Sequence, residues 1–269
     1  MSPTRLLTVA AMHGRDLSRR RLALVILVAL PLVFYFSGRM QLDDAGTTAD
    51  DQLWVLVSGA MGSCWAISVA ALFVVNGSRR ADQPLLLAGY RAAELLLGRV
   101  LTVLVLAALI TPAFSVLIWT QQDVDLALLT AGIGLGAVVS VATGVLAAAL
   151  VPRDMEGVLV VIGVVGVQMT ALEPWMPLWG SGELIVRAGG VAVTSTVQGA
   201  VTHALVSTAV LTAAGVLLWV RRVRLQRAAP LPAATTAAAQ DAPSVRAGLA
   251  VGTEPAVPAE TAPADRRAT

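Results

Sequence analysis

The feature that most constrains the fold is a run of 23 residues, 53–75, that contains no charged side chain. A helix of about 20 apolar residues is long enough to cross the hydrocarbon core of a bilayer, which is about 30 Å thick. Comparable runs occur at 21–37, 100–120, 126–151, 158–172 and 200–220. The pattern therefore predicts an all-α, polytopic integral membrane helix bundle with about six transmembrane helices.

The composition excludes an ordinary soluble domain. Hydrophobic residues make up 57% of the chain and charged residues 13%, whereas soluble domains have about 45–50% and about 25%. The single cysteine, Cys64, also excludes an intrachain disulfide framework and a C-x-x-C metal site. We therefore expect a multi-pass protein of the cell (plasma or inner) membrane, surrounded by the lipid bilayer.

The distribution of arginine predicts the orientation. The chain contains no lysine, so all 19 of its basic residues are arginines. They cluster before the first apolar run, between the second and third, and after the sixth, whereas the alternate loops carry only Arg39 and Arg187. Because positive charge accumulates on the cytoplasmic side, an even number of spans with both termini cytoplasmic fits every loop.

The chain divides into three regions. Residues 1–20 form a basic leader, which is either an amphipathic helix at the cytoplasmic surface, with Leu6, Ala10, His13 and Leu17 at helical spacing, or a solvated segment. Residues 21–227 hold the six spans. Residues 228–269 are rich in Ala and Pro and have almost no large apolar residues, so we predict a disordered cytoplasmic tail.

Sequence motifs for catalysis are missing. A P-loop requires a lysine, so this chain cannot carry one, and we predict no catalytic residue, cofactor or metal site on it. The predicted spans carry no Asp, Glu or Arg between their ends. His203 and Ser181 are the only candidates for an embedded catalytic group. A helix-packing histidine and a Gly-Ser turn are the more common explanations.

The polar stretch 76–99 is the most informative loop, because it is too long for a tight turn. It predicts a short amphipathic helix whose apolar side chains dock on a cytosolic partner. A helix lying on the membrane surface is the alternative, and the composition fits both. The candidate docking residues are Arg79, Arg80, Asp82, Leu85, Leu86, Tyr90 and Arg91.

Small residues predict close approach of helices. Gly132 and Gly136 form a G-x-x-x-G pattern, which favours either packing within the chain or a dimer seam. Gln168 and Asn76 are expected to hydrogen-bond between helices rather than to bind a ligand.

Several segments together resemble the ABC-2-type transporter permeases. These are the basic leader Arg15–Arg21, the stretch Arg79–Tyr90 followed by Gly98-Arg99, the turn Pro152–Gly157, and the long segment between the fifth and sixth runs. The resemblance covers roughly residues 3–225. It implies that the stretch after span 2 is a coupling helix that docks on a separate cytosolic ABC ATPase subunit, which binds the ATP.

The resemblance also implies a second permease copy, identical or related, and a role in export without a nucleic-acid partner. In the family, short helices in the segment before the last span cap the exit. Two other functions stay open from the residues alone: a structural or regulatory membrane protein, and a membrane-embedded enzyme.

Overall fold

A computed structural model describes residues 3–19, 21–40, 49–77, 85–151, 153–170 and 173–228. These residues form helices, turns and irregular segments without any strand, so the all-α prediction is confirmed for them. The helices belong to one compact unit, Met1–Arg227. They are α1 Pro3–Arg19, α2 Arg21–Met40, α3 Ala49–Gly77, α4 Ala92–Trp119, α5 Leu126–Leu150, α6 Asp154–Thr170, α7 Trp179–Ala188 and α8 Val197–Ala228.

Four of the helices have the length and hydropathy needed to cross a membrane. They are α4, α5, and the larger parts of α3 and α8, over Asp51–Gly77 and Val197–Arg222. The apolar part of α2, Leu27–Met40, is shorter, and α6 has 17 residues. The helices are thus compatible with a transmembrane protein. The count of six spans and their orientation stay predictions.

Helix α3 occupies the centre of the bundle and packs against α2, α4, α5, α6 and α7. Glycines allow its closest contacts. A Cβ atom at Gly62 would lie 2.7 Å from Cβ of Phe34 on α2, and one at Gly144 on α5 would collide with the backbone carbonyl of Ser68. Because a side chain would separate these backbones, the small residues determine how closely α2 and α5 approach α3.

The helix ends differ most from the predicted span ends in two places. Helix α4 begins at Ala92, eight residues before the predicted start at 100, and therefore includes Glu94 and Arg99, which are both buried. Helix α8 continues past the predicted end at 220 to Ala228. The prediction used hydropathy, which marks where charge begins, whereas helical hydrogen bonding continues through charged residues.

One end of the bundle brings together segments that lie far apart in the sequence. The Arg5 guanidinium of α1 lies 5.7 Å from the ring centroid of Tyr90, just before α4. The Asn76 side-chain amide, near the end of α3, is 3.5 Å from the carbonyl oxygen of Val151, just after α5. All four residues fall in or beside segments that the arginine distribution assigns to the cytoplasm.

The opposite end joins the remaining loops. The Arg39 guanidinium at the end of α2 donates a 2.8 Å hydrogen bond to the side chain of Gln121, which follows α4. The backbone N–H of Asp125 donates to the carbonyl of Ala188 at the end of α7, at 2.9 Å. These residues belong to segments predicted on the outer side. The contacts at each end of the bundle therefore join loops that the predicted topology places on the same side of the membrane. The predicted tail 228–269 lies outside the described residues beyond Ala228.

Candidate docking site

The segment 85–91, which we call the elbow, joins the end of the 76–84 stretch to α4. Residues 85–87 form one helical turn, and Gly89 then adopts φ of 88°. The Tyr90 N–H donates to the Leu85 carbonyl at 3.1 Å, and the Gly89 N–H donates to the Leu86 carbonyl at 3.2 Å. This hydrogen-bond pair is a Schellman motif, which satisfies the last carbonyls of the turn and needs glycine for the positive φ.

The elbow presents one leucine to its surroundings. Leu87 is 89% exposed, whereas Leu85, Leu86 and Tyr90 are half-buried. The Tyr90 ring faces the Arg5 guanidinium of α1. This cation–π contact joins the elbow to the leader. Among the large apolar side chains of the elbow, Leu87 is therefore the one most accessible to another molecule.

The elbow is also bound to the first turn of α4. The buried Glu94 carboxylate accepts a hydrogen bond from the backbone N–H of Arg91, at 3.0 Å. A carboxylate in the first turn is favourable because the helix N-terminus is partially positive. The Arg91 side chain is exposed. A force on the elbow therefore acts directly on the start of α4.

The predicted docking set is only partly described. The structure brings Leu85, Leu86, Tyr90 and Arg91 together in the elbow, whereas Arg79, Arg80 and Asp82 lie outside the described residues. The prediction did not single out Leu87 as a docking residue, although the three consecutive leucines were visible. Their run shows an apolar turn, but the sequence does not show which leucine faces outward.

The leader is helical and lies along the start of α4. Its buried face carries Val9, His13 and Leu17, at intervals of four residues. A Cβ atom at Gly98 would lie 2.5 Å from Val9, and the Thr102 hydroxyl is 3.0 Å from the carbonyl oxygen of Ala10. The leader is thus helical and its buried face covers the start of α4, while its position at the cytoplasmic membrane surface stays a prediction.

His13 on α1 lies in this contact, outside the predicted spans. Burial, and to a smaller extent the positive charge of Arg99, lower the pKa of its imidazole to about 4, while Asp16 acts in the opposite direction. His13 is therefore neutral at physiological pH in the folded protein.

Arg99 is fully buried in the second turn of α4, although it was predicted at the boundary of a polar loop. Its guanidinium lies 5.4 Å from the ring centroid of Trp219 on α8, and one nitrogen is 3.5 Å from the carbonyl oxygen of Val75 on α3. A buried cation needs such partners because desolvation is costly. Arg99 therefore joins α3, α4 and α8 at the same end of the bundle as the elbow.

The two candidates for embedded catalysis lie in packed positions. The Ser181 hydroxyl is fully buried and donates to the carbonyl of Leu178, at 2.8 Å. The His203 imidazole packs edge-to-face against the Trp179 indole, with ring centroids 5.0 Å apart. Ser181 thus lies in the first turn of α7 rather than in a Gly-Ser turn, and its hydroxyl bonds to the adjacent backbone.

The glycines of the G-x-x-x-G pattern face other helices of this chain. A Cβ atom at Gly132 would lie 2.8 Å from Ile185 of α7, and one at Gly136 would lie 2.7 Å from the Cys64 sulfur of α3. Gln168 on α6 accepts a 2.8 Å hydrogen bond from the backbone N–H of Leu178, which joins α6 to the segment before α7.

No metal-binding group of three or more His, Cys, Asp or Glu residues occurs within the described part of the chain. A scan against protein-family models gives no match for this chain, and no curated protein matches it either. The resemblance to ABC-2-type permeases therefore rests on the sequence segments alone, and membership of that family stays a prediction.

Proposed function

We propose that the chain is the membrane-spanning permease subunit of an ATP-driven, ABC-type exporter, and that a separate cytosolic subunit hydrolyses the ATP. The observation that carries the proposal is the elbow, where the exposed Leu87 projects from a hydrogen-bonded turn at the start of a long apolar helix. In this proposal the elbow is the part of the coupling helix on which the ATPase docks.

The contacts of the elbow suit the transmission of force. Glu94 binds the elbow to α4, and the Arg5–Tyr90 contact binds it to α1. Because Arg99 continues the connection to Val75 of α3 and Trp219 of α8, movement of the elbow reaches three membrane helices within about two turns. If the elbow contacted only its flanking residues, its movement would not be transmitted to these helices.

The proposed topology has six spans with both termini in the cytoplasm. It adds α2 and α6 to the four long apolar helices. The 17 residues of α6 extend about 26 Å, which lies at the short end of the range for a transmembrane helix. The same-side contacts at the two ends of the bundle support this alternation of loops.

A second permease copy would complete the translocation path. The outer face of α6 carries exposed apolar side chains, including Leu159 and Val167, and α8 exposes Leu205, Val210 and Leu217. These faces are available to lipid or to another copy. In the proposal α7 caps the exit at the outer end, where the Glu183 carboxylate accepts a 2.7 Å hydrogen bond from the Ser195 hydroxyl.

Purification of the tagged full chain from its native membranes in mild detergent tests the proposal. We expect an ATP-hydrolysing protein to co-purify, and Leu87→Asp to release it, because a carboxylate would enter an apolar contact. Trp175→Asp is the matched control, since Trp175 is also exposed but lies in a segment predicted on the outer side. Retention of the ATPase by Leu87→Asp would exclude the elbow as its docking site.

Each of the other two functions predicts a different result for the purified protein. A structural or regulatory membrane protein would purify without an ATP-hydrolysing partner. An embedded enzyme would have an activity that Ser181→Ala or His203→Ala removes. A preparation without ATPase activity, in which export is also absent, would remove support for the permease.

A further inference from the structure

We propose that the groove between α4, α5 and α8 binds an anionic phospholipid, with one acyl chain along the groove and the headgroup at the arginines that follow it. We call this cavity the lateral groove. The inference requires only that the helices lie in a bilayer, so it is independent of transport and of an ATPase partner.

The lateral groove has the chemistry of a hydrocarbon site. Its volume is about 280 Å³, and its lining side chains are apolar except Thr208 and Thr212. The Thr208 hydroxyl donates to the carbonyl of Ala204 in its own helix, at 2.8 Å, and so needs no polar ligand. The groove is lined by Leu97, Val100 and Leu104 of α4, Val141 of α5, and Val216 and Trp219 of α8, among others.

The length of the lateral groove matches one leaflet. Its lining on α8 runs from Thr208 to Val220, twelve residues apart, which corresponds to about 18 Å along the helix. One leaflet contributes about 15 Å to the hydrocarbon core. The lining on α4 begins at Ala93, so the groove starts at the end of the bundle that carries the elbow and extends toward the bilayer centre.

Positive charge lies just beyond this end of the groove. Arg222 and Arg224 follow Val220 by two and four residues, which is about 3 and 6 Å along the axis. At about 100° per residue, they lie on opposite sides of the helix face that carries Val216 and Trp219. Arg224 is exposed and Arg222 half-buried. Each lies about 90–110° from the centre of that face, so their long side chains would reach a phosphate above the groove from its two flanks.

The acidic residue next to the groove lining in the sequence, Glu94, does not pair with these arginines. Glu94, one residue after Ala93, is buried, and its carboxylate accepts the Arg91 backbone N–H. Arg99 adds a buried positive charge beneath Trp219. A zwitterionic lipid would fill the groove equally well, but the cation of its headgroup would offset the attraction of its phosphate to the arginines. The positive charge therefore favours an anionic headgroup, which cytoplasmic leaflets contain.

Quenching of Trp219 fluorescence tests the inference. The full chain is reconstituted into phosphatidylcholine vesicles that contain increasing fractions of phosphatidylglycerol with brominated acyl chains, which quench indoles on contact. The difference between wild type and Trp219→Phe isolates Trp219 from the other five tryptophans. We expect its quenching to saturate at a low fraction of brominated phosphatidylglycerol, and to rise only in proportion to the fraction of brominated phosphatidylcholine.

Arg222→Gln with Arg224→Gln should raise the half-saturating fraction of phosphatidylglycerol by roughly ten- to thirtyfold. The matched control is Arg15→Gln with Arg19→Gln, which removes the same charge from exposed positions of α1 and should leave that fraction unchanged. An equal effect of both pairs, or equal quenching by the two lipids, would overturn the proposal. Absence of quenching at Trp219 would also overturn it, because another polypeptide segment would then cover the groove.

Discussion

Helices α3 and α8 contain equally apolar windows, but the window in α3 is mostly buried and the window in α8 is mostly exposed. The most apolar windows of both have a mean hydropathy of 1.8, yet 94% of that window is buried in α3 and 11% in α8. Hydropathy therefore indicates that a helix leaves water, but it does not indicate what surrounds it instead. Helix α3 is surrounded by protein, whereas most of the apolar surface of α8 is left for lipid or another chain.

The difference also lies in how each helix is attached. Helix α3 is in contact along its whole length, with Gly59 and Gly62 admitting Tyr35 and Phe34 of α2. The attachments of α8 are local: its start lies against Gly180 of α7, and its later part meets α5 at Gly215 and Arg99 at Trp219. We therefore expect mutations in α3 to act at many positions and mutations in α8 to act at few.

The largest effect is expected at Trp219, one of the few buried positions of α8. Trp219→Ala removes a buried indole and the cation–π partner of Arg99, and should lower the free energy of unfolding by about 3–5 kcal/mol. Leu217→Ala, at an exposed position two residues earlier, should have little effect. Thermal unfolding in detergent measures both. Similar values would mean that α8 is not attached at Trp219.

An identical substitution in the two helices gives the next largest effect. Ala71 of α3 is fully buried and faces α5 near Gly144, whereas Ala209 of α8 is exposed. Ala71→Leu should therefore cost about 1–3 kcal/mol through overpacking, and Ala209→Leu close to nothing. The same unfolding assay compares them. Equal tolerance of leucine would contradict the central position of α3.

The smallest effect concerns pH, at the junction where Arg99 meets both helices. The pKa of His13 is about 4 in the folded protein, below its ordinary value of 6.5. Between these values the unfolded chain binds more protons, so stability is retained above about pH 6.5 and falls as the pH is lowered toward 4. His13→Gln should weaken this dependence of the melting temperature. An unchanged pH profile would show that His13 is not buried beside Arg99.

The sequence predicts where the apolar helices lie along the chain better than it predicts which helices pack against each other. Uncharged runs such as 53–75 identify the long apolar helices, because hydropathy is a local property. Arg99 was assigned to the edge of a polar loop, because its partners, Val75 and Trp219, are distant in the chain and a burial that depends on them leaves no local pattern. Gly132 and Gly136 predicted a close approach, but the pattern contains no information about which helix approaches.

In the candidate docking site, too, the sequence predicts local structure but not the contacts between residues that are distant in the chain. The apolar residues between charges within 76–99 predicted a short amphipathic helix, and the described part of this stretch before α4 holds one helical turn, 85–87. Which of Leu85, Leu86 and Leu87 is exposed depends on the contact between Tyr90 and Arg5 and on the φ of Gly89. Consecutive helical residues differ in direction by about 100°, so the exposed leucine could be identified only from the structure.

The packing of α1 along α4 has a consequence for biosynthesis. The leader leaves the ribosome before α4, because the surface that covers Val9 and Ala10, at Gly98 and Thr102, is synthesised roughly 90 residues later. At about 5–20 residues per second, the delay is roughly 5–20 s. During this interval the surface of α4 that covers the leader in the folded protein is missing. The bilayer surface is the nearest apolar phase that can hold the apolar face of the leader, so the leader reaches its final position only after α4 has been inserted.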